Sequence, residues 1–171
     1  MRRAGPVVGH ALLLALVLGL AGCFKSNEPL LDAAQAKYPF KSATFKADDG
    51  EIETLRREGD VYRRIEDGKP RSEALLFFEI EENVYLVQET GDIGVTTYLY
   101  ARKERDKAVV MSDCQDIKRE TLTSFNFEFK SDSQALFFEC YAKDLNSLIA
   151  LGKSSELWAG KAKTLEIVSM E

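Results

Sequence analysis

The sequence predicts a mainly β domain: an antiparallel meander that forms a small barrel or a sandwich, with a short N-terminal helix and a C-terminal helix. Short segments of alternating apolar and polar residues follow one another along the chain of 171 residues. Turn residues separate these segments at intervals of about 8 to 12 residues, a spacing typical of antiparallel sandwiches and barrels. Helical spacing of apolar residues occurs at 29–37 and 144–151, and 154–160 is a candidate for one more turn of helix, carrying Trp158.

The first half of the meander contains six predicted strands. Glycine flanked by acidic residues, at 48–51 and at 58–60, is typical of hairpin turns. Segment 74–80 is apolar at nearly every position, which predicts a central strand covered on both faces. The six strands are 40–47, 51–57, 61–66, 74–80, 84–89 and 95–102.

The second half continues the pattern with four predicted strands. Phe125, Phe127 and Phe129 alternate with polar residues, so we expect three rings to point inward from one strand. The apolar run 135–141 brings Cys140 to the start of the C-terminal helix. The four strands are 107–111, 125–130, 135–141 and 164–170.

The N-terminal stretch has the layout of an export signal. Arg2 and Arg3 precede an apolar run from residue 7 to residue 20, which is too short to span a bilayer comfortably. The run ends in Leu20-Ala21-Gly22-Cys23, small residues directly before a cysteine. In these residues the chain resembles a bacterial lipoprotein precursor.

The resemblance implies a lipid-anchored protein of the cell envelope. It implies cleavage before Cys23 after a diacylglycerol is attached to its sulfur, and palmitate-type acylation of the new amine. Several chains on one residue hold a protein firmly on a bilayer. Residue 24 is phenylalanine and not the aspartate that retains enteric lipoproteins in the inner membrane. The resemblance therefore favours the outer membrane facing the periplasm, or the cell surface where the host has one membrane.

The predicted organisation has three parts. Residues 1–22 are the signal peptide, 23–39 are the lipidated cysteine with a short tether and a helix, and 40–171 are one β-rich domain. Without Arg2 and Arg3 the mature chain has 21 basic and 28 acidic residues, a net charge of −7. A domain with this net negative charge lacks the overall positive charge that is typical of nucleic-acid-binding proteins.

Two cysteines remain in the exported domain, Cys114 and Cys140. An even pair in an oxidising compartment predicts a disulfide. On the chain-entropy model such a bridge stabilises the fold by roughly 3.5 kcal/mol. Two buried thiols or a redox pair are the alternatives, and no C-x-x-C spacing favours the latter.

The chain does not have the residues of common catalytic sites. Its one histidine, His10, lies in the signal peptide, which excludes histidine bases and histidine metal ligands from the mature protein. Serine-nucleophile, zinc, P-loop and dinucleotide motifs are also missing. We therefore assign no catalytic residue, no metal site and no cofactor, and expect a protein that is not an enzyme. Acidic residues beside glycine are most commonly part of hairpin turns. The spacing of Asp113 and Asp116 does not match a calcium-binding EF-hand loop.

One segment has a net positive charge, although the chain as a whole is negative. Residues 56–71 contain six basic and four acidic residues. Arginines in such a cluster hold phosphates, carboxylates or lipid headgroups, whereas a solvated hairpin with local ion pairs is the alternative. The candidate anion-binding or partner face consists of Arg56, Arg57, Arg63, Arg64 and Arg71.

A second candidate surface consists of Thr96, Tyr98 and Tyr100, which share one face of a predicted strand. Tyrosines of this kind contribute to partner-binding surfaces. More commonly they form the half-buried outer face of a sheet.

Three functions remain open on these observations. The first is a membrane-anchored, non-catalytic module that binds or assembles with an envelope protein, lipid or polymer, with the bilayer as its partner through Cys23. The second is a small barrel that carries a hydrophobic ligand among Phe77, Phe127 and Phe137. The third is a histidine-free hydrolase that uses paired carboxylates, with Asp49 and Glu82 as candidates.

Overall fold

The computed structural model describes residues 24–91, 95–130 and 138–171. Within these residues it contains twelve strands, three α-helices and one 3₁₀ turn. The strands are β1 (Phe24–Ser26), β2 (Ser42–Ala47), β3 (Ile52–Glu58), β4 (Val61–Glu66), β5 (Lys69–Pro70), β6 (Ala74–Glu81), β7 (Val84–Thr90), β8 (Thr96–Glu104), β9 (Lys107–Met111), β10 (Phe127–Lys130), β11 (Glu139–Ala142) and β12 (Lys163–Met170). The helices are α1 (Arg119–Ser124), α2 (Leu145–Gly152) and α3 (Ser155–Trp158), and the 3₁₀ turn is Ala33–Gln35.

Eight of the described strands close into an antiparallel barrel, in the order β2-β3-β4-β6-β7-β8-β9-β12, with β12 pairing back to β2. Most connections are hairpins, as the meander predicted. Gly50 and Asn83 occupy two of the tight turns with φ of 89° and 62°, a conformation that glycine and asparagine adopt most readily. The prediction of a mainly β domain is confirmed, and its form is a barrel.

Three further strands extend the sheet beyond the barrel at β8. Along one edge of β8, Tyr98 lies opposite Phe24 of β1, whereas Tyr100 lies opposite Met111 of β9. The strand therefore changes partner at Leu99. On its other side β1 pairs in parallel with β11, which pairs with β10.

Two apolar cores result from this arrangement. The barrel interior, which we call the lumen, is filled mainly by Phe40, Leu55, Tyr62, Phe77 and Val87. The second core lies outside the barrel wall, where the outer faces of β7 and β8 pack against the helices and the extension. Its largest fully buried side chains are Phe24, Leu86, Tyr98, Tyr100, Met111, Leu122, Leu148, Leu151 and Leu157.

Strand β6 is covered on both faces, as predicted. Leu75 and Phe77 belong to the lumen core, whereas Leu76, Phe78 and Ile80 pack against the outer core. This explains why the apolar run has no simple alternation: each face of the strand meets a different core.

The C-terminal helix is confirmed as α2. Asp144 caps it, because its carboxylate accepts hydrogen bonds from the backbone N–H and the hydroxyl of Ser147. Gly152 is the last residue of the helix. A Cβ at this position would lie 2.4 Å from Ile80 Cδ1 and 3.0 Å from Tyr100 Cε1, so a larger residue would require these side chains to shift.

Three expectations for local structure are wrong. Segment 29–37 forms only the 3₁₀ turn, closed by a capping box between Asp32 and Gln35. The residues expected to be a short tether include β1, which lies inside the sheet. Segment 125–130 does not form one strand: Phe125 caps the unpredicted helix α1, Asn126 has a φ of 64°, and β10 begins at Phe127.

Among the residues that the structure describes, no helix is long and apolar enough to cross a bilayer. The first three residues of the predicted strand 135–141 lie outside the described residues, which resume at Phe138, and its last three belong to β11.

Candidate functional site

The lumen has two open ends, and a cavity lies near each. We call the end bounded by Glu53, Arg64, Ser112 and Lys163 the Arg64 mouth, and the opposite end, at Phe40 and Asn83, the Phe40 end. The cavity at the Arg64 mouth has a volume of about 110 Å³. Its apolar wall includes Leu55, Leu75, Val87, Leu99, Val110 and Leu165.

The cavity at the Phe40 end is larger, about 240 Å³, and more polar in character, because Asn83, Arg102 and Lys103 contribute to its lining. Phe45, Phe77, Ala101 and Ala108 line both cavities. These side chains therefore divide the lumen, and neither cavity extends through the barrel. The more apolar cavity, at the Arg64 mouth, is the better candidate for an apolar ligand.

Arg64 projects into the lumen and pairs with two carboxylates. Its Nε lies 2.6 Å from Glu53 Oε1, and its Nη1 lies 2.6 Å from Glu89 Oε1. All three side chains are at most 20% exposed. Burial alone would lower the pKa of Arg64, but the hydrogen bond to Glu89 and the charge of Glu53 outweigh it, so the pKa is raised. The guanidinium is therefore charged and fully engaged.

Lys163 differs from Arg64 in this respect. It lines the same cavity at the start of β12, and none of the described residues forms an ion pair with it. Ser112 adds a hydroxyl beside it in the cavity wall. The mouth thus combines an apolar interior with one unpaired positive charge.

A buried polar network holds the N-terminal segment against the barrel wall. The Gln88 Oε1 atom accepts hydrogen bonds from the backbone N–H groups of Leu30 and Leu31, at 3.0 and 2.8 Å. Gln88 Nε2 donates to the Leu31 carbonyl at 3.0 Å, and the Tyr98 hydroxyl is 2.8 Å from Ser26 Oγ. Gln88 is only 2% exposed, so these bonds satisfy groups that water cannot reach.

The five arginines proposed as one face do not form one. Arg64 points into the lumen, whereas Arg56 and Arg63 are paired across β3 and β4 and both contact Glu58 on the outside, at 2.9 and 3.6 Å. The expectation of a shared surface is wrong because strand alternation places Arg63 and Arg64 on opposite sides of the barrel wall.

The remaining two arginines are also engaged locally. Arg57 lies 3.6 Å from the centre of the Tyr38 ring and donates to the Gly59 carbonyl at 2.9 Å. Arg71 lies within 3.7 Å of Glu66 and Glu73. These contacts match the alternative of a hairpin with local ion pairs, and no unpaired arginine patch results.

The tyrosine surface is also absent. Thr96, Tyr98 and Tyr100 are on the outer face of β8 as expected, but they are at most 1% exposed because the extension and α2 cover them. The Tyr100 hydroxyl donates to the Leu148 carbonyl of α2 at 3.0 Å. This face is a core and not a docking surface.

The three phenylalanine rings proposed to line a ligand cavity are not found together. Phe77 lines both cavities of the lumen. Phe127 belongs to the outer core, with its ring centre 6.1 Å from that of Phe24, so its assignment to the lumen is wrong. Phe137 lies outside the described residues.

The candidate carboxylates do not meet. Asp49 lies in the β2–β3 turn beside the Arg64 mouth, whereas Glu82 lies in the β6–β7 turn at the Phe40 end. Asp113 accepts a hydrogen bond from the backbone N–H of Gln115, at 2.8 Å. Over the described ranges, no group of three or more acidic, cysteine or histidine residues is placed to hold a metal ion.

Cys114 and Cys140 form a disulfide, with their Cα atoms 6.4 Å apart. Both cysteines are fully buried in the outer core. The bridge joins the segment after β9 to β11, the middle strand of the extension, so it fastens the extension to the barrel.

Sequence reasoning missed Glu53, Glu89, Lys163 and Gln88. Their roles can be recognised only when it is known which face of each strand points inward. Glu53, Glu89 and Lys163 lie on the inward faces of their strands, beside the apolar residues Leu55, Val87 and Leu165. Gln88 is on the outward face of β7, between the buried Leu86 and the exposed Thr90, where a polar residue looks like ordinary surface in the sequence.

Comparison of the chain with protein-family models, with curated proteins and with solved structures gave no match. The class of the domain therefore rests on its own geometry. It is a small closed antiparallel barrel with a disulfide-linked three-stranded extension and an amphipathic cavity at one mouth.

Proposed function

We propose that this protein is a lipid-anchored component of the bacterial cell envelope whose barrel binds, without catalysis, a small apolar group in the cavity at the Arg64 mouth. The observation that carries the proposal is the apolar cavity itself, enclosed by the barrel and bordered by a charged rim. Binding sites for small molecules have this character: an apolar interior with a few convergent polar groups.

The size of the cavity sets the size of the ligand. A cavity of about 150 Å³ in another protein holds benzene, and drug-sized ligands need roughly 300 to 1,000 Å³. At about 110 Å³, this cavity matches a chain of about four or five carbons, such as the tail of hexanoate, or the end of a longer chain. A whole long-chain lipid does not fit.

The rim favours an anionic or polar head on that ligand. Glu53 and Glu89 engage Arg64, so these three groups have little capacity for a ligand. Lys163 has no such partner among the described residues and lies on the cavity wall. A carboxylate at the mouth would pair with Lys163 while its chain enters the lumen.

The anchor is supported by the sequence Leu20-Ala21-Gly22-Cys23 and by the paired cysteines. Lipidation at Cys23 would place the barrel at the outer membrane facing the periplasm, or at the cell surface. The disulfide agrees with an oxidising compartment. Replacing Cys23 by serine should abolish incorporation of labelled palmitate and release the protein from membranes, and an acylated, membrane-bound Cys23→Ser protein would contradict the anchor.

A binding role is better supported than the two alternatives. A carboxylate hydrolase needs two carboxylates that converge on a substrate, whereas Asp49 and Glu82 lie at opposite ends of the barrel. A partner module built on the arginines needs an unpaired basic surface, whereas all five of these arginines have local partners.

The test uses hexanoate as the probe and backbone chemical shifts as the readout. Eight heavy atoms at about 0.5 kcal/mol each correspond to a roughly millimolar Kd. Val110→Phe, which fills the cavity, should abolish the shifts, whereas Val109→Phe on the opposite face of the same strand should retain them. Equal binding by both variants, or none by the unmodified protein, would overturn the luminal site.

A further inference from the structure

We propose that the cavity at the Phe40 end is a second binding site, which takes a small aromatic carboxylate with its ring in the lumen and its carboxylate toward Lys103. This site is separate from the cavity at the Arg64 mouth, because the side chains that line both cavities divide the lumen between them. The proposal depends neither on the ligand of the other cavity nor on the lipid anchor. Three observations support it: the volume of the cavity, the aromatic rings in its wall and the exposed lysine at its edge.

Two alanines leave room at this end of the lumen. Ala101 of β8 and Ala108 of β9 lie on the inward faces of their strands and line the cavity. The cavity volume of about 240 Å³ exceeds the roughly 150 Å³ that holds benzene in another protein. A benzene ring that carries a carboxylate therefore fits the Phe40 end.

Aromatic rings form one side of the cavity. The centre of the Phe77 ring lies 5.6 Å from that of Phe40 and 6.2 Å from that of Tyr85, and both pairs meet edge to face. Phe45 adds a fourth ring, with its centre 6.3 Å from that of Phe40. Rings packed in this way attract a further ring more strongly than contact area alone predicts. The cavity therefore favours an aromatic ligand over an aliphatic ligand of the same size.

Hydrogen bonds fix the segment that closes this end of the barrel, residues 37–41. The backbone N–H of Lys37 donates to the Phe77 carbonyl at 2.7 Å, and the Tyr62 hydroxyl donates to the Phe40 carbonyl at 2.5 Å. The Phe40 side chain is buried against the lumen core. A site that is formed before the ligand arrives loses little conformational entropy on binding, which favours the affinity of a small ligand.

Lys103 provides the charge that selects a carboxylate. It lies on the inward face of β8, opposite Ala108, and its backbone N–H donates to the Asn83 carbonyl at 2.9 Å. Its side chain is exposed and, within the described ranges, forms no ion pair. A carboxylate at the edge of the cavity would therefore pair with Lys103.

The acidic residue nearest to the rings gives the ligand one orientation. Glu79 lies on β6 opposite Tyr85 of β7. Burial and the charge of Glu79 raise the pKa of Tyr85, so the phenol stays neutral at physiological pH. Glu79 would repel a carboxylate, whereas Lys103 on β8 is separated from β6 by the width of two strand spacings, about 10 Å. The carboxylate therefore points toward β8 and the ring toward Phe77.

The test uses benzoate as the probe and the methyl signals of Ile167 and Met170 as the readout. Both residues line this cavity and not the cavity at the Arg64 mouth. Benzoate has nine heavy atoms, which at ordinary ligand efficiency correspond to a roughly millimolar Kd. Its ring current should shift both methyl signals in a saturable way, and cyclohexanecarboxylate should bind several-fold more weakly. Equal affinity for the two acids, or no saturable shift, would overturn the aromatic site.

A pair of lysine variants tests the recognition of the carboxylate. Lys103→Gln should weaken benzoate binding about threefold and leave the binding of benzyl alcohol unchanged. Lys107 is the matched control, because it is also exposed but lies on the outward face of β9, next to the inward Ala108. Lys107→Gln should change neither affinity. Equal effects of the two variants on benzoate, or an equal loss of benzyl alcohol binding in Lys103→Gln, would overturn the role of Lys103.

Variants that fill one cavity at a time locate the bound ring. Met170→Trp should abolish benzoate binding, whereas Val110→Phe, which fills the cavity at the Arg64 mouth, should retain it. Val168→Trp is the matched control for Met170→Trp, because Val168 is exposed on the same strand, and it should retain binding as well. Benzoate binding that survives in Met170→Trp, or that is lost in Val110→Phe, would overturn the site at the Phe40 end. Hexanoate binding in the same variants reports on the other cavity alone.

Discussion

The guanidinium of Arg64 lies 2.6 Å from Glu53 on one side and 2.6 Å from Glu89 on the other. This relationship matters because β4 and β6 are joined by a single residue pair, Tyr62 with Leu75. Glu89 of β7 lies opposite Leu75, so the Arg64–Glu89 pair spans the weakest junction of the barrel wall. The charged mouth is thus part of what closes the barrel.

Replacement of Arg64 by methionine should destabilise the protein by about 3 kcal/mol, because it leaves two poorly hydrated carboxylates without a partner. Arg56→Met is the matched control. Arg56 is 47% exposed and pairs only at the surface, so its loss should change the free energy of unfolding by about 0.5 kcal/mol or less. Urea unfolding measures both, and equal small effects would contradict the closing role of Arg64.

Replacement of Gln88 by leucine should release the N-terminal segment. The N–H and the carbonyl of Leu31 would lose their buried partner, at a cost of about 2 kcal/mol, whereas the N–H of Leu30 keeps the Tyr98 hydroxyl at 3.0 Å. Hydrogen exchange should increase most at residue 31, whereas Gln35→Leu, in an exposed turn, should leave it almost unchanged. Unchanged protection in Gln88→Leu would show that other contacts hold the segment.

Removal of the disulfide should destabilise the fold by roughly 3.5 kcal/mol on the chain-entropy model. The double replacement Cys114→Ala and Cys140→Ala tests this, with thermal unfolding as the measurement. Because the bridge fastens β11, the loss of protection should begin in the extension and not in the eight barrel strands. Uniform loss across the barrel would contradict this division.

Alkaline pH should unfold the domain through its buried tyrosines. Burial raises the pKa of Tyr98 and raises the pKa of Tyr100 well above the ordinary value of 10.0. The folded state therefore holds these protons more tightly than the unfolded state. Their contribution to stability is complete below about pH 10 and is lost as the pH rises further.

Tyr100→Phe removes one of these groups and should reduce the fall in urea midpoint between pH 9 and pH 11. Tyr38→Phe leaves the phenols of Tyr98 and Tyr100 in place and should retain the dependence of the unmodified protein. An identical pH dependence in Tyr100→Phe would show that another group controls alkaline unfolding.

The unpaired Lys163 should select the head of the ligand. Lys163→Gln should weaken hexanoate binding about threefold, the effect of a partly exposed ion pair, and leave hexanol binding unchanged. Calorimetric or chemical-shift titration with both ligands measures the difference. An equal loss for hexanoate and hexanol would assign Lys163 to the structure of the mouth and not to recognition of the head.

Most of the barrel could be predicted from the sequence, because its strands are bounded by strong turn residues and its two-sided strand β6 is apolar throughout. The helix predicted at 29–37 fails for a physical reason. Gln88 and Tyr98, distant in the sequence, bind the backbone of Leu30 and Leu31 in an extended form. Local spacing contains no information about such long-range partners.

The site was less accessible to prediction than the fold. Arg63 and Arg64 are neighbours in the sequence, and only the register of β4 shows that Arg64 faces the lumen while Arg63 faces outward. Lys163 and Glu53 meet at the same mouth through strands far apart in the chain. The closure of the barrel creates the cavity, so no short motif could indicate it.

The central claim is that an apolar group binds inside the lumen, and nuclear Overhauser contacts between hexanoate and protein methyl groups test it most directly. Binding in the lumen predicts contacts from the terminal methyl of hexanoate to Leu55, Leu99 and Val110. Ile52 and Val168 provide the internal comparison, because they are large apolar residues exposed at 63% and 54% on the outside of the protein. Contacts confined to Ile52 and Val168 would contradict a luminal site.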